Sequence, residues 1–486
     1  MSSARTIARN TSVQAVAEIL GKVASLGFYV VMARELGQEG FGDFTFALSL
    51  ALMTTVFAGF GIDQVIARTV SRDRSGAARL MTDALTVKIG FGVLGILIAL
   101  VVAFAGGYAT DVKVAVGVLA VAAVVELVTK IFHATFQGLD DMRPVALAFL
   151  IQRYFTAAVG IALLLAGGGV VAMALVYLAG AVLAQLFIGL RLAARAIRPH
   201  RKVETTRARA LVVGSFALGM TLILNTALFR VDATLLSLMK GNDDVGIYGA
   251  AYRLLESTLF LSYTFVTALL PTLSRLSRTS TPTLGQAYEV GSKLVATVLL
   301  PIGVVFVAFA EPIVDLLYSD EFAAAVTPVR LLGAAAALYG VAYLGSYVLI
   351  AQSRYLAVLP WATLGVLVFN VVANLLIIPE HSYDGAAAVT SASEALLAIV
   401  FVIYARRLAG PVSLRRVLTG PVVGCAAIAA VALLLGTSIP TMVLAGLAYA
   451  LALWLVERRL YPTDVRLLLD ALRRRPLAPA SADVTS

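Results

Sequence analysis

Five basic side chains stand deep inside apolar stretches of this 486-residue chain: Lys22, Lys130, Arg153, Arg230 and Arg253. Carboxylates accompany them at Glu18, Glu126, Asp232 and Glu256. Gln14, Glu18, Lys22, Ser25 and Tyr29 follow one another at intervals of four and three, and Glu126, Lys130, His133 and Gln137 repeat the device. On a helix each set lies along one face. Asn370 and Asn374 share another face, and Glu394 stands alone in its run. A charge at the centre of a membrane helix costs about 2.5–3.5 kcal/mol on insertion scales, so such a residue faces a partner or a water-filled space. Guanidinium groups take phosphate bidentately and ammonium groups take it as point charges. The cations therefore point to an anionic, phosphate-bearing ligand. The structural alternative is that Glu18 with Lys22, and Glu126 with Lys130, are ion pairs that neutralise each other and fasten helices. Lys88, Glu289, Lys293 and Arg330 lie nearer helix ends, where snorkelling is expected. Tyr248, Tyr252 and Tyr263 read as packing or interfacial residues ahead of sugar-stacking ones.

The elements that must position these groups are membrane helices. Apolar runs of about 20 residues, the length that crosses a bilayer core of about 30 Å, recur along the whole chain. They predict an all-α polytopic membrane protein with about fourteen spans: 11–33, 44–61, 83–105, 113–132, 145–166, 170–190, 211–238, 247–270, 288–310, 328–350, 357–379, 385–405, 417–436 and 441–457. Composition agrees, with 60% hydrophobic and 14% charged residues and a mean hydropathy of +0.92. Soluble domains carry about 25% charge. The N-terminus, the loops after even-numbered spans and the C-terminal segment hold 27 Lys and Arg, against Arg34, Lys113 and Lys240 in the opposite loops. The positive-inside rule places both termini in the cytoplasm.

Several functions are excluded. No predicted loop has room for a soluble catalytic domain, and no GxxxxGK[ST] phosphate loop is present, so an ATPase motor within this chain and an enzyme are both disfavoured. His133, His200 and His381 are scattered, and the single Cys425 sits in an apolar run, so neither a disulfide nor a Cys/His metal cluster is expected. The net charge of +10 is read as topology and contact with anionic lipid, not nucleic acid. The basic residues cluster at 191–209 and from Arg458 to Arg475.

The chain also repeats itself. Gly37 to Leu50 (GQEGFGDFTFALSL) and Gly241 to Leu254 (GNDDVGIYGAAYRL) align at an offset of 204 residues, matching Gly37 to Gly241, Gly42 to Gly246 and Phe44 to Tyr248. A weaker match joins the segments that begin at Arg143 and Arg354. Two six-helix units in the same orientation, related by an axis along the membrane normal, follow from this. The expected organisation is an N-lobe at 1–205, a C-lobe at 206–409, an added helix pair at 410–461 and a basic cytoplasmic tail at 462–486.

Three segments carry a family resemblance. They are Arg34-Glu-Leu-Gly-Gln-Glu-Gly-Phe-Gly-Asp-Phe, the stretch from Arg230-Val-Asp-Ala-Thr through Tyr252-Arg-Leu-Leu-Glu256 to Pro271–Leu276, and Asn370 to Pro379 with Gly385–Glu394. The chain resembles the oligosaccharide flippase branch of the multidrug/oligosaccharidyl-lipid/polysaccharide exporter superfamily. That resemblance implies a bacterial cytoplasmic membrane protein that flips polyprenyl-pyrophosphate-linked oligosaccharide by alternating access, for O-antigen, capsule or exopolysaccharide assembly. It implies a central cavity between lobes with Arg253, Arg230, Lys22, Lys130 and Arg153 on the diphosphate, and coupling to H⁺ or Na⁺ through Glu18, Glu126, Asp232 or Glu256. No cofactor is expected beyond that ion. The expected partners are the glycolipid, membrane lipid and glycan-assembly proteins, around a monomer. A multidrug/cation antiporter and a lipid II flippase of the same superfamily remain the alternatives.

Overall fold

The computed structural model describes residues 2–74, 76–197, 203–276, 281–352 and 355–462. Arg198, His200, Arg201, Lys202, Arg354, the side chain of Tyr263 and the expected tail from 463 onward lie outside the described residues. The described residues form α-helices joined by short turns and two 3₁₀ segments, with no strand among them. The helices are α1 (Ser2–Thr55), α2 (Ile62–Arg72), α3 (Ala77–Ala105), α4 (Thr110–Gly138), α5 (Arg143–Leu165), α6 (Val170–Ala193) and α7 (Thr205–Lys240). They continue with α8 (Asn242–Leu276), α9 (Thr281–Ala308), α10 (Ala310–Leu317), α11 (Val326–Gln352), α12 (Val358–Ala409), α13 (Leu414–Leu435) and α14 (Ile439–Leu460).

Among the described residues, eleven stretches are long and apolar enough to cross a membrane. Two of them, Val16–Ala58 and Val358–Ala409, run 43 and 52 residues, about twice the length of one crossing. Each is a hairpin. In α1 the helix breaks at Gly37 (φ 67°, ψ −171°), and the rings of Phe28 and Phe44 then meet at 6.4 Å. A continuous helix would hold residues 16 apart at roughly 24 Å. In α12 the break is at Ser382 (φ 43°, ψ −128°), and Asn370 Nδ2 returns to donate to Ser393 Oγ at 3.2 Å. Counting both arms of each hairpin, and α8 as a further long helix, is compatible with fourteen crossings. The loops expected at 34–43 and 380–384 are therefore almost entirely helical. A one-residue reversal with positive φ suffices, and at Gly37 the missing Cβ makes it free of strain.

Helix α2 was not expected as a separate element. Ile62, Ile66 and Val70 are buried at intervals of four, while Asp63 and Arg68 lie off that stripe. It is an amphipathic helix too short and too polar to register as a span.

Helices α1, α3, α4, α5 and α6 pack among themselves, and α7, α8, α9, α11 and α12 form a second set. The α13–α14 pair attaches through α13 to α9. Its fastenings are Lys293 Nζ to Glu457 Oε2 at 2.5 Å and the Tyr449 hydroxyl donating to the Thr297 carbonyl at 2.6 Å. Large apolar side chains such as Leu433, Leu434 and Trp361 point outward, 86%, 82% and 71% exposed, as a lipid-facing surface requires.

The two sets meet chiefly along α1 and α8, and here the repeat becomes visible in three dimensions. Gly241 takes φ 100° and ψ 177°, close to the geometry of Gly37. A Cβ on Gly42 would lie 1.8 Å from the Asn242 carbonyl oxygen, and one on Gly246 would lie 2.2 Å from the Gln38 carbonyl oxygen. Residues 38 and 242, and 42 and 246, are equivalent at the offset of 204. The contact is thus reciprocal, as a local two-fold axis demands. It is tightened by Asn242 Nδ2 donating to Asp43 Oδ1 at 2.5 Å, and by Arg34 donating to the carbonyls of Leu316 and Leu317.

Candidate functional site

The polar stripe of α1 and the charges of α4, α5, α7 and α8 converge on one cavity of about 600 Å³ between the two helix sets. All five expected cations line it: Lys22, Lys130, Arg153, Arg230 and Arg253. Three of the four expected carboxylates, Glu18, Glu126 and Glu256, do so as well. Ser25 and Tyr29 complete the α1 stripe, whereas Gln14, His133 and Gln137 are not part of the wall. Helical periodicity explains the convergence. Positions 18, 22, 25 and 29 share one face of α1, and the apolar residues between them face lipid or protein.

Glu256 sits at the centre of the cationic group. Its Oε1 accepts from Arg230 Nη2 at 2.6 Å and its Oε2 from Arg253 Nη1 at 2.6 Å. The Arg253 guanidinium also lies 3.9 Å over the ring centroid of Tyr29, a cation–π contact across the two helix sets. Arg253 is only 6% exposed, and its Nη2 has no hydrogen-bond partner among the described residues. One carboxylate shared by two arginines leaves guanidinium donors over, which is the arrangement expected of an anion site.

The pairs Glu18–Lys22 and Glu126–Lys130 do not form. Among the described residues neither lysine has a carboxylate within 4.0 Å, and Glu126 instead accepts a hydrogen bond from Gln152 Nε2. Arg153 lies 5.3 Å over the Phe149 ring. The wall therefore carries five cations against three carboxylates, a formal charge of +2.

Asp232, the fourth expected carboxylate, is not in the cavity wall. It is 2% exposed and lies behind the wall, within the second helix set. Its Oδ1 accepts from Asn374 Nδ2 at 2.7 Å, and its Oδ2 accepts from Thr390 Oγ1 at 2.6 Å and from the Tyr248 hydroxyl at 3.1 Å. Asn374 also donates to Asn370 Oδ1 at 3.1 Å, and its own Oδ1 is buried without a partner among the described residues. The cluster joins α7, α8 and both arms of α12. In the first half of the chain the equivalent positions of Asp232 and Tyr248 are Phe28 and Phe44, which pack against each other. The polar cluster thus belongs to one half alone. The role of Thr390 is not legible in the sequence, because a threonine beside Ser391, Ser393 and Glu394 carries no signal of which of them meets Asp232.

One further residue departs from expectation. Lys88 does not snorkel. It is fully buried and donates to Asp63 Oδ1 at 2.6 Å and to the Leu127 carbonyl at 2.8 Å, fastening α3 to α2 and α4. Tyr248 and Tyr252 are buried in the core, as the packing reading expects. The tyrosines that border the cavity are Tyr29 of α1, Tyr177 of α6, and Tyr339 and Tyr343 of α11, the last two at a spacing of four in a run whose one charge, Arg330, stands near its start.

The reciprocal contact of α1 and α8 near Gly42 and Gly246 lies between the cavity-lining residues Leu48 and Arg253 and the turns at Gly37 and Gly241. Among the described residues no group of three or more His, Cys, Asp or Glu side chains could hold a metal ion.

The sequence profile of the family described as polysaccharide biosynthesis protein matches residues 7–277, more than half of the chain. The chain belongs to this family. A comparison with curated proteins gave no match. Among solved structures, the family member is similar to the lipid II flippase MurJ in an inward closed conformation, with 14% identity over 92% of this chain and 98% of that one and a TM-score of 0.73. It is similar to an inward-facing multidrug resistance MATE family transporter of the MOP superfamily, with 16% identity, 81% and 98% coverage and a TM-score of 0.64. It is also similar to the Vibrio cholerae MATE transporter VcmN, with 13% identity, 84% and 98% coverage and a TM-score of 0.60. At such identities the likeness is one of fold. The chain is a multi-pass membrane protein with the fold of these MATE and MurJ structures.

Proposed function

We propose that this protein flips polyprenyl-diphosphate-linked oligosaccharide across the bacterial cytoplasmic membrane, both termini lying in the cytoplasm, and supplies subunits for a cell-surface polysaccharide. The observation that carries the reading is the excess of cations in a cavity between two helix sets. A diphosphate esterified at both ends carries two negative charges, which complements the formal +2 of the wall. The arginines suit it in geometry, since guanidinium forks match phosphate oxygens. Residues 1–205 and 206–409 act as lobes that rock about the α1–α8 contact and expose the cavity to alternate sides, with 410–461 as an accessory pair. The prenyl tail stays in lipid while the diphosphate and sugars pass. No covalent step is needed, and the protein works as a transporter and not as an enzyme, as a monomer that receives its glycolipid from the glycan-assembly machinery.

Coupling to H⁺ or Na⁺ is assigned to the Asp232 cluster in preference to Glu18, Glu126 and Glu256. Asp232, Thr390 and the unpartnered Asn374 Oδ1 supply hard oxygen donors away from any cation of the wall. The cluster lies on the same helices as Arg230 and Arg253, so an ion bound there biases the geometry of the anion site. A cation-antiporter reading is disfavoured by the wall, because five cations repel a cationic drug. A lipid II flippase, such as the MurJ of similar fold, remains within the same chemistry.

The test is binding of farnesyl diphosphate to the purified protein in lipid nanodiscs. Wild type binds, and Arg253→Ala binds at least about tenfold more weakly, as expected for loss of a charge-assisted fork. Equal binding by both proteins contradicts the proposal.

A further inference from the structure

The cavity has two chemically distinct walls. The cations come from α1, α4, α5, α7 and α8, with Tyr29, Phe149, Tyr177 and Phe229 also on that side, whereas α11 contributes aromatic side chains alone. Tyr339 and Tyr343 border the cavity there, with ring centroids 5.6 Å apart and planes 16° apart. The series continues in both directions. The Phe229 ring meets Tyr339 edge-on at 5.8 Å, and Tyr347 follows Tyr343 at 4.8 Å, their hydroxyls 3.0 Å apart. Phe229 precedes Arg230, so the series begins beside the arginine cluster. Positions 339, 343 and 347 are spaced by one helical turn each and span about 12 Å along the helix axis. All three residues are half-buried, and Tyr339 and Tyr343 border the cavity while Tyr347 lies beyond its wall.

A phosphate has no use for such a surface. Aromatic faces present a negative quadrupole, and the axial C–H bonds of a pyranose present the complementary positive edge. Amide and hydroxyl groups that hydrogen-bond sugar hydroxyls stand next to the series, with Asn225 and Thr226 on the same cavity wall as Phe229. Asn225 makes no hydrogen bond among the described residues.

We infer that Tyr339 and Tyr343 form a glycan subsite, an aromatic track on which the pyranose rings next to the diphosphate stack while Arg230 and Arg253 hold the diphosphate itself. The inference rests on the flippase reading and adds to it where the sugars lie. Because stacking engages the common C–H face of a pyranose, the track tolerates different sugars and sets the number of units held, not their identity. The tyrosines Tyr248 and Tyr252, in contrast, are buried and take no part.

The experiment compares two probes in nanodiscs, farnesyl diphosphate and farnesyl diphosphate carrying a disaccharide of β-linked hexoses. Wild type binds the glycosylated probe more tightly. Tyr339→Leu and Tyr343→Leu each weaken that probe about threefold to tenfold, the value of one aromatic contact, and leave the bare diphosphate unchanged. Tyr339→Phe and Tyr343→Phe keep the ring and bind both probes as wild type does. Arg253→Ala weakens both probes together. Equal loss of both probes in the Leu variants, no loss of either, or no preference of wild type for the glycosylated probe overturns the track while leaving the cationic site standing. Failure of wild type to bind either probe refutes the flippase reading. The unchanged binding of the bare diphosphate serves as the check that the Leu variants are folded.

Discussion

Alanine at Gly42 is the sharpest perturbation of the α1–α8 contact. The added carbon falls 1.8 Å from the Asn242 carbonyl oxygen and 2.9 Å from Gly246 N. Both are backbone atoms and cannot rotate away. Restoring an ordinary contact requires α1 and α8 to separate by about 1.5 Å, which forfeits much of the dispersion attraction along the crossing. Overpacking of a fitted contact costs about 1–3 kcal/mol. In an alternating-access cycle that cost falls only on the state in which this contact is made. The population with the contact open then rises roughly fivefold to a hundredfold. The assay uses a cysteine at Ser49, which is 1% exposed beneath the contact, in a Cys425→Ala background. A membrane-impermeant thiol reagent is applied from the side opposite the termini. Gly42→Ala speeds labelling, and Gly246→Ala does so by the same mechanism, because its added carbon meets the Gln38 carbonyl at 2.2 Å. Gly27→Ala is the control, since an added carbon there meets nothing within 4 Å while the gain in helix propensity is the same. Labelling of the Gly42→Ala protein at the rate of the Gly27→Ala protein would show that the glycine contact is not the seal.

Two further outcomes follow from the buried charges. Lys88→Ala leaves Asp63 without its partner and destabilises the protein by about 3–5 kcal/mol, as loss of one member of a buried pair does. Lys88→Met with Asp63→Leu recovers most of this in thermal unfolding, and a double variant no more stable than Lys88→Ala would show that the pair is not the cause. Asp232→Asn preserves the size of the side chain and removes its charge, so transport loses its response to an imposed H⁺ or Na⁺ gradient while binding of farnesyl diphosphate persists. A gradient response equal to wild type would move coupling to another carboxylate.

The fold was legible in the sequence because membrane helices announce themselves by length and composition, and the site because a charge in an apolar run has few reasons to be there. Lys22, Lys130, Arg153, Arg230 and Arg253 converge on one cavity, the two lysines on helical faces marked by spacings of three and four. What the sequence withheld was partner choice. Glu18 and Lys22 share a face yet do not pair, while Glu256 bridges Arg230 on another helix and Arg253 one turn away. Asp232 was legible as a buried charge but not as a group turned away from the cavity, because which side of α7 faces α12 is decided by tertiary packing. Lys88 was misread as snorkelling for a related reason. Its position in α3 gives its depth, but its partner Asp63 lies on α2, an element whose short amphipathic pattern gave no membrane signal. The hairpins at Gly37 and Ser382 were read as loops, since one residue with positive φ can replace a loop without a change in composition.

The central claim is that the arginine cluster carries a diphosphate-linked glycan from one leaflet to the other. The direct measurement is the translocation of a fluorescent polyprenyl-diphosphate-linked oligosaccharide in proteoliposomes, read by the accessibility of the glycan to an external enzyme. Wild type moves the glycolipid to the opposite leaflet, Arg253→Lys moves it more slowly because the charge remains without the fork, and Arg253→Ala, reconstituted to the same level, does not move it. Translocation by Arg253→Ala at the wild-type rate, or none by the wild type under an imposed ion gradient, would contradict the account.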